Sequence, residues 1–440
     1  LEKRALEQAA VADKELSNAG RVPRDEKPLF GIPLGIKDIL TMDGVRTTCA
    51  SKMLDQYIPP YTATAVDRLE RAGAIALGKL NMDEFAMGGS NENSAYGPVL
   101  HPTHSSHVPG GSSGGSATAV RANLCVASLG TDTGGSIRLP AHYCGIVGLK
   151  PSYGRISRYG LVAFASSLDQ IGPMTANVED AATLLDVMSG ADAMDPSSAP
   201  RPATQSRAAL EKGLDWKKIR IGVPKEYFVD GVSSEVKKSV TDALDWYKKQ
   251  GAQLVDISLP HTKYSVAVYY IVAVSEASSN LARFDGVRFG SRPAAANSAG
   301  DLTEFYENVR SQFGSEVKRR IILGTFALSA GYADAYYLKA CQVRRLIHQD
   351  FARAFEKCDL IAGPVSPSTA FKLGEKASDP LKMYLNDIFT IPANLAGLPG
   401  VSVPCGEDAQ GLSIGLHLQA PAFAEDRLLA AAHAFERSRA

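Results

Sequence analysis

The chain has 440 residues with 47 basic and 47 acidic side chains, so its formal net charge at pH 7 is zero. Binding to nucleic acid or to an acidic membrane surface needs a surplus of positive charge, so this balance argues against both classes of protein. Apolar residues make up 45% of the chain and charged residues 21%, which is typical of a soluble globular protein with a large core.

The sequence contains no stretch of 18 consecutive apolar residues, and its longest apolar run is 266–274. The first residues, Leu1 to Arg4, follow a charged helical pattern and do not resemble a signal peptide. The six cysteines are scattered without a Cys-x-x-Cys pair, which is typical of reduced thiols. We therefore expect a cytoplasmic protein with no membrane segment.

Predicted helices and strands alternate from the N-terminus onward, which indicates an α/β fold. The pattern predicts helices over 1–18, 62–73, 117–122 and 178–190, and a mostly helical region over 264–360. It predicts strands over 30–40, 74–79, 124–129, 146–149, 219–224, 361–364 and 401–404.

The region 88–160 differs from the rest of the chain in composition. Glycine accounts for 14 of its 73 residues, and only seven of them are charged. A flexible linker has a similar composition, but this region also contains a predicted helix and two predicted strands. Glycine-rich turns between buried elements indicate that the backbone approaches a ligand closely, so we expect the functional site here.

Two glycine–serine loops dominate this region, over 109–116 and 130–138. Neither ends in the Gly-Lys-Ser/Thr of a phosphate-binding loop, so phosphate binding is not expected. Residues 110–114 match the Gly-x-Ser-x-Gly of a nucleophile elbow, but the preceding segment 101–107 is not a strand, which disfavours that interpretation. A simple pair of tight turns stays an alternative, although two such loops around a helix and a buried strand favour a site.

Ser136, in the second loop, is the candidate nucleophile. It follows a predicted buried strand and the run Thr133-Gly134-Gly135, whose backbone N–H groups can converge on one oxygen atom as an oxyanion hole requires. Side chains at these positions crowd a substrate, so glycine is suited to them. This pattern favours a serine hydrolase.

Lys37 is the candidate base, since no histidine has an obvious place beside Ser136. Its neighbours in the predicted strand are apolar, and removal from water lowers the pKa of a lysine so that part of it is neutral. Ser112, in the first loop, is the candidate to relay a proton between Ser136 and Lys37. For Lys37 alone, the alternative is a lysine at a strand end whose amine reaches solvent.

Three histidines, His101, His104 and His107, precede the first loop and suggest a metal site. Their spacing suits neither a helix face nor a strand face, and no cysteine or acidic cluster accompanies them. We therefore expect no metal ion in this chain.

Three blocks, 31–38, 109–115 and 130–140, occur in order and resemble the amidase signature family. This resemblance implies a large mixed β-sheet covered by helices on both faces, and a single amidase domain over 1–440. It also implies a Ser–cis-Ser–Lys triad, in which Ser136 is the nucleophile, Ser112 the cis-peptide serine and Lys37 the base. One departure is the segment 101–107, where the family more usually has an Asn-Pro-Trp-type run.

Further blocks are most similar to those family members that hydrolyse glutamine and pass the ammonia to a partner for amidation of misacylated tRNA. These blocks are 148–155, 167–173, 275–281, 283–286 and 383–387. The resemblance implies a heterotrimer with amidotransferase subunits B and C. The tRNA would bind mainly to a partner protein, which would also hold ATP and Mg²⁺, and no cofactor is expected in this chain.

Glutamine as substrate calls for an arginine near its α-carboxylate and an acid near its α-ammonium. The family positions fall on Arg320 and Asp387, with Tyr269 nearby. Because Arg319 precedes Arg320 and Tyr270 follows Tyr269, either residue of each pair could be the one that contacts the substrate. Without the resemblance, the arginines are equally compatible with a solvated helix face. The alternative functions are a stand-alone amidase and an inactive scaffold subunit.

Overall fold

A computed structural model describes residues 1–23, 26–377 and 379–439 of the chain. Ten strands of the described residues form one sheet, in the order β2-β1-β3-β5-β4-β9-β10-β8-β6-β7. The strands are β1 (Pro33–Lys37), β2 (Ile75–Leu80), β3 (Ala127–Asp132), β4 (Val147–Lys150), β5 (Gln170–Thr175), β6 (Arg220–Pro224), β7 (Gln253–Ile257), β8 (Leu360–Pro364), β9 (Gly400–Glu407) and β10 (Ser413–Gln419).

The sheet is mixed, because its two ends are parallel and its middle is antiparallel. At one end β1 lies parallel to both β2 and β3, and at the other β6 lies parallel to both β7 and β8. Every residue of β3, β4, β5 and β8 is buried, so both faces of the sheet are covered at these strands. The predicted α/β fold with a large mixed sheet is confirmed.

Helices supply the covering layers. Those of the described residues are α1 (Glu2–Ala19), α2 (Thr64–Arg71), α3 (Gly114–Arg121), α4 (Arg138–Cys144), α5 (Val178–Met188), α6 (Ser206–Lys212), α7 (Ser234–Gln250), α8 (Ser265–Leu281), α9 (Ala294–Asn297), α10 (Leu302–Arg310), α11 (Ser315–Leu328), α12 (Lys339–Lys357), α13 (Pro380–Tyr384), α14 (Ile391–Leu395) and α15 (Glu425–Arg437). None of the described helices is both long and apolar enough to span a membrane.

Local sequence explains where these elements begin and end. In α2 the apolar residues Ala65, Val66 and Leu69 repeat at helical spacing and are all buried, while the charged residues lie on the other side. The Asn177 side chain accepts a hydrogen bond from the backbone N–H of Asp180 and so caps the N-terminus of α5. Gly251, in the left-handed conformation, ends α7.

Two strand predictions were wrong in their limits. The predicted strand 30–40 is reduced to β1, which pairs only over Pro33–Lys37 and leaves Lys37 as its last residue. The predicted strand 124–129 begins only at Ala127, because Leu124 lies in the turn after α3, where it is 68% exposed. Leucine is apolar enough to suggest a strand, but position 124 has no neighbouring strand with which to pair.

The predicted helix 1–18 corresponds to α1, and the predicted helical region 264–360 contains α8 to α12. The single amidase domain over 1–440 stays a prediction, and four of its residues, at 24, 25, 378 and 440, lie outside the described residues. The sheet brings the end of β1 beside the end of β3, which places Lys37 next to the loop that carries Ser136.

Candidate active site

The amine of Lys37 lies among three hydroxyl groups in a fully buried position. Its Nζ atom donates hydrogen bonds to Ser112 Oγ, Ser113 Oγ and Thr131 Oγ1, each at 2.8 Å. The side chain has no exposure to solvent. The structure therefore brings Lys37 and Ser112 into direct contact, and the alternative of a strand-end lysine that reaches water does not apply.

Burial lowers the pKa of Lys37 to about 7. The negative charges of Asp83, Asp132 and Asp169 oppose this shift, but the loss of hydration outweighs them. A lysine with this pKa is partly neutral near pH 7, and the neutral form is the one that can accept a proton.

The first loop is tightly packed beneath Ser112. The Gly111–Ser112 peptide bond is cis. A side chain at Gly111 would collide with the Asp83 carboxylate and with the backbone nitrogens of Ser90 and Asn91, so only glycine fits. The Asp83 carboxylate accepts a hydrogen bond from the N–H of Asn91 at 2.9 Å, and the Asp83 backbone N–H donates to the Ser112 carbonyl at 3.2 Å, which ties this segment to the loop.

The second loop, which carries Ser136, is closed by a buried ion pair. The Asp132 Oδ2 atom accepts hydrogen bonds from the backbone N–H of Ile137 at 3.2 Å and from Arg138 Nε at 3.0 Å. Both charged side chains are fully buried. Arg138 also donates to the Thr390 carbonyl at 3.1 Å, so the loop is fixed to the segment before α14.

Four successive backbone donors in this loop are free to bind a ligand. Within the described residues, the N–H groups of Thr133, Gly134, Gly135 and Ser136 donate to no acceptor. The loop is held from both sides, because Thr133 Oγ1 donates to Asp169 Oδ1 and Thr390 Oγ1 donates to the Gly134 carbonyl, both at 2.7 Å. A rigid set of unpaired N–H groups is what an oxyanion hole requires.

The two loops touch, but their serine hydroxyls are not hydrogen-bonded to each other. The N–H of Ser113 donates to the Ser136 carbonyl at 3.2 Å. No hydrogen bond joins the hydroxyls of Ser112 and Ser136 in the part of the chain that the structure describes. The structure thus joins Lys37 to Ser112 directly, and Ser136 to this pair through the backbone.

Arg320 and Arg319, adjacent on α11, have different surroundings. The Arg320 side chain is 3% exposed, and its Nε donates to Glu316 Oε1 at 2.8 Å. Its guanidinium lies over the rings of Tyr270 and Tyr384, at 5.2 Å and 5.6 Å from their centres. The Arg319 side chain is 44% exposed. Of this doublet, only Arg320 faces the interior.

Asp387 and Tyr269 lie against the loop of Ser136. A side chain at Gly135 would meet the Asp387 carboxylate, and one at Gly134 would lie 2.7 Å from Cζ of Tyr269. Burial raises the pKa of Asp387 to about 8, and the nearby Asp132 adds to this shift. A cationic ligand stabilises the charged form of a buried carboxyl group, so binding of such a ligand favours ionised Asp387.

Four residues near the candidate triad were not identified from the sequence. Ser113 and Thr131 complete the hydroxyl ring around Lys37. The Asp83 backbone N–H donates to the Ser112 carbonyl of the first loop, and the Asp169 carboxylate accepts from Thr133 of the second. The Ser-Ser doublet was a signal for Ser113. Asp83 gave no signal, because its contact with the loop depends on how the chain folds.

The three histidines have hydrogen-bonding partners of their own. His101 Nε2 lies 2.9 Å from the Tyr143 carbonyl, and His104 Nε2 lies 3.0 Å from the Gln410 carbonyl. The rings of His104 and His107 meet edge to face at 5.9 Å. The described residues contain no cluster of three or more His, Cys, Asp or Glu arranged to bind a metal ion.

Comparison with known proteins identifies the family of this chain. The Amidase family model matches residues 1–429. The glutamyl-tRNA(Gln) amidotransferase A-subunit of Geobacter metallireducens is 55% identical over 439 residues, which cover 99% of this chain and 88% of that protein. Its counterpart from Koribacter versatilis, which has the same name, is 56% identical over 436 residues, covering 99% and 89%.

Two solved structures lead to the same family. The glutamyl-tRNA(Gln) amidotransferase A-subunit of Thermotoga maritima is 41% identical with a TM-score of 0.80, covering 99% of this chain and 92% of that one. The peptide amidase of Stenotrophomonas maltophilia is 31% identical with a TM-score of 0.79, covering 100% and 88%. The chain therefore belongs to the amidase signature family.

Proposed function

We propose that this chain is the glutaminase subunit of a tRNA-dependent amidotransferase. It releases ammonia from the side-chain amide of glutamine for the amidation of misacylated Glu-tRNA(Gln), Asp-tRNA(Asn) or both. The observation that carries the chemistry is the buried contact between Lys37 and Ser112, beside the loop of Ser136 with its unpaired N–H groups. The identity of about 55% to glutamyl-tRNA(Gln) amidotransferase chains supports the substrate and the pathway.

The first step is the attack of Ser136 on the amide carbon of glutamine. Neutral Lys37 accepts the hydroxyl proton of Ser112, and Ser112 in turn accepts the proton of Ser136. This transfer requires the two hydroxyls to come within hydrogen-bond distance of each other. The new C–O bond forms as the carbonyl π electrons move to oxygen, and this oxyanion accepts hydrogen bonds from backbone N–H groups among Thr133, Gly134, Gly135 and Ser136.

The second step expels ammonia. The oxyanion reforms the carbonyl, the C–N bond breaks, and the departing nitrogen takes its proton from Ser112, which is reprotonated by Lys37. Water then attacks the glutamyl ester by the same proton route, which releases glutamate and restores Ser136. The proposed chemistry requires no metal ion or cofactor in this chain.

Glutamine is held by charged and aromatic groups beside the loop. Arg320 pairs with its α-carboxylate and Asp387 with its α-ammonium, while Tyr269 covers the Gly134 side of the loop. Arginine suits a carboxylate because its guanidinium can donate two parallel hydrogen bonds. The terminal nitrogens of Arg320 donate to no described residue, which leaves them available for this role.

The ammonia is used in a complex, which we propose to be a cytoplasmic heterotrimer with amidotransferase subunits B and C. The relatives are named as subunits, which supports a multi-subunit enzyme. The zero net charge of this chain supports a partner that holds most of the tRNA, together with ATP and Mg²⁺.

A glutaminase assay tests this function, first on the chain alone and then with the partner subunits, tRNA and ATP. Glutamate release that rises on assembly and in the presence of misacylated tRNA supports it. Full activity of the chain alone, indifferent to tRNA, indicates a stand-alone amidase. A chain that neither hydrolyses glutamine nor reacts with a serine-directed covalent probe is a scaffold.

A further inference from the structure

The carboxylate of Glu316 lies one helical turn before Arg320 on α11 and is almost wholly buried. Its Oε1 atom accepts hydrogen bonds from Arg320 Nε at 2.8 Å and from the Tyr384 hydroxyl at 2.9 Å. Its Oε2 atom accepts one from Arg319, whose side chain is half exposed. One oxygen therefore faces the interior and joins Arg320 to a second element, while the other faces the surface.

We propose that Glu316 is a positioning residue for the substrate. It sets the direction of the Arg320 guanidinium, so that the two terminal nitrogens meet the α-carboxylate of glutamine. The inference rests on the proposed function, because it assigns Glu316 a role toward the glutamine that Arg320 is proposed to bind.

One hydrogen bond is sufficient to orient this guanidinium. Its N–H donors lie in one plane, so a fixed Nε–H leaves the terminal donors in a defined direction. Of the described residues, only Glu316 accepts a hydrogen bond from the Arg320 side chain. The rings of Phe164, Tyr270 and Tyr384 lie at 5.6 Å, 5.2 Å and 5.6 Å from the guanidinium carbon and line its apolar surroundings.

The oriented guanidinium lies near the loop of the candidate nucleophile. Burial raises the pKa of Asp387 to about 8, and the positive charge of Arg320 is among the influences that oppose this shift. Asp387 itself lies against Gly135, where a side chain would meet its carboxylate. Arg320 is therefore within electrostatic reach of the place where the proposed glutamine binds.

Helix α11 is held in place independently of Glu316. The N–H of Gly314, at its start, donates to Glu84 Oε2 at 2.7 Å. Further along, Gly324 packs so closely on the Val274 carbonyl of α8 that a side chain would collide there. Because these two contacts fix the helix, the loss of the Glu316 carboxylate should change the direction of the arginine and not the position of its backbone.

The charge of Glu316 does not itself attract the substrate. Burial favours its neutral form, but the Arg320 guanidinium and the Tyr384 hydroxyl hold the pKa of Glu316 below its usual range. A second anion beside Arg320 weakens the attraction of the guanidinium for a substrate carboxylate. Any benefit of Glu316 to glutamine binding must therefore come from direction, and a role through charge predicts the opposite result.

Two substitutions of Glu316 separate direction from charge. Glu316→Gln keeps an oxygen that accepts from Arg320 and Tyr384, and its amide nitrogen replaces only the oxygen that faces the surface. Its KM for glutamine should stay within about threefold of the wild-type value. Glu316→Asp keeps the charge but draws the carboxylate back by one methylene group, so Arg320 must turn to keep its partner. Its KM should rise by about tenfold or more with kcat nearly unchanged.

The measurement is steady-state glutamine hydrolysis by the enzyme assembled with its partner subunits. Two truncated amides then show whether the effect acts through the α-carboxylate. γ-Aminobutyramide is glutamine without this carboxylate, and glutaramate is glutamine without the α-amino group. Glu316→Asp should lower kcat/KM for glutamine and glutaramate by about tenfold but leave that for γ-aminobutyramide within about twofold of wild type. Where an amide is hydrolysed too slowly to follow, its inhibition constant against glutamine is compared instead.

Glu425→Ala is the matched control for a general loss of packing. Glu425 is also a buried glutamate paired with an arginine, since its carboxylate lies 3.3 Å from Arg155 and accepts from the N–H of Ser152 at 2.9 Å. Whatever this substitution costs in stability, it should affect the three amides equally.

Three results would overturn the positioning role. They are a KM in Glu316→Gln that rises as much as in Glu316→Asp, a wild-type KM in Glu316→Asp, or an equal loss of kcat/KM with all three amides. In each case the wild-type enzyme still hydrolyses glutamine, so the proposed function stands. A wild-type assembly without glutaminase activity contradicts the proposed function itself, and the role of Glu316 falls with it.

Discussion

The Nζ atom of Lys37 lies 2.8 Å from the Oγ atom of Ser112, although 75 residues separate them in the chain. The sheet brings the two residues together, because β1 runs parallel to β3 and ends beside the glycine–serine loops 109–116 and 130–138. Ser113 and Thr131 complete the contact, so the buried amine has three oxygen partners. This arrangement gives an amine that is partly neutral near pH 7, as the proposed base must be.

The pH dependence of glutamine hydrolysis should follow the ionisation of Lys37. Because burial lowers the pKa of this amine to about 7 and the neutral form is the base, kcat/KM should rise with pH through this value. The Lys37→Met variant should lose about three or more powers of ten in rate. A steady-state profile from pH 5 to pH 9 checks this, and an unchanged profile in the variant would remove Lys37 as the base.

Removal of one hydroxyl from the ring around Lys37 should move that profile. In Thr131→Val the ammonium form loses one acceptor, so the pKa of Lys37 should fall and the acidic limb should shift by about one unit to lower pH. Ser116→Ala is the matched control, because this buried serine donates to the Leu129 carbonyl and does not contact the lysine. An identical shift in the control would show that the effect is a general loss of packing.

The two adjacent arginines of α11 should differ sharply in their effect on glutamine binding. Arg320→Ala removes the buried guanidinium, so KM for glutamine should rise by about tenfold or more, corresponding to at least about 1.4 kcal/mol. Arg319→Ala removes a half-exposed side chain and should leave KM nearly unchanged. Equal effects of the two substitutions would contradict the assignment of Arg320.

The ion pair that closes the second loop should matter greatly for stability. Asp132→Asn leaves the buried Arg138 charge without its partner, which should lower the free energy of unfolding by about 3–5 kcal/mol. Asp67→Asn, which breaks the exposed pair with Arg71, should cost less than about 1 kcal/mol. Denaturant titrations compare the two variants, and a small effect of Asp132→Asn would mean that the loop is held mainly by other contacts.

Much of this site was predictable because its chemistry lies in contiguous motifs. A lysine in an apolar strand and two glycine–serine loops predict Lys37, Ser112 and Ser136 as a group, and the structure places Lys37 against Ser112 and the two loops in backbone contact. The doublet at Arg319 and Arg320 could not be resolved from sequence, since the choice depends on the phase of α11 relative to the core.

The remaining features depend on long-range packing. Thr131 is 94 residues from Lys37 in the chain, and no local pattern reports their contact. Leu124 was wrongly predicted to lie in a strand, because its apolar side chain suggested one although the chain turns at this position. Strand limits follow from pairing with neighbours, which a local pattern does not contain.

The proposed mechanism requires that Ser136 forms a glutamyl ester during turnover. Acid quench of the enzyme with glutamine, followed by mass mapping of the peptides, tests this directly. We expect a glutamyl adduct on Ser136 and no adduct in Ser136→Ala, with hydrolysis reduced by about three or more powers of ten. An adduct on a different residue, or near-normal turnover by Ser136→Ala, would contradict it.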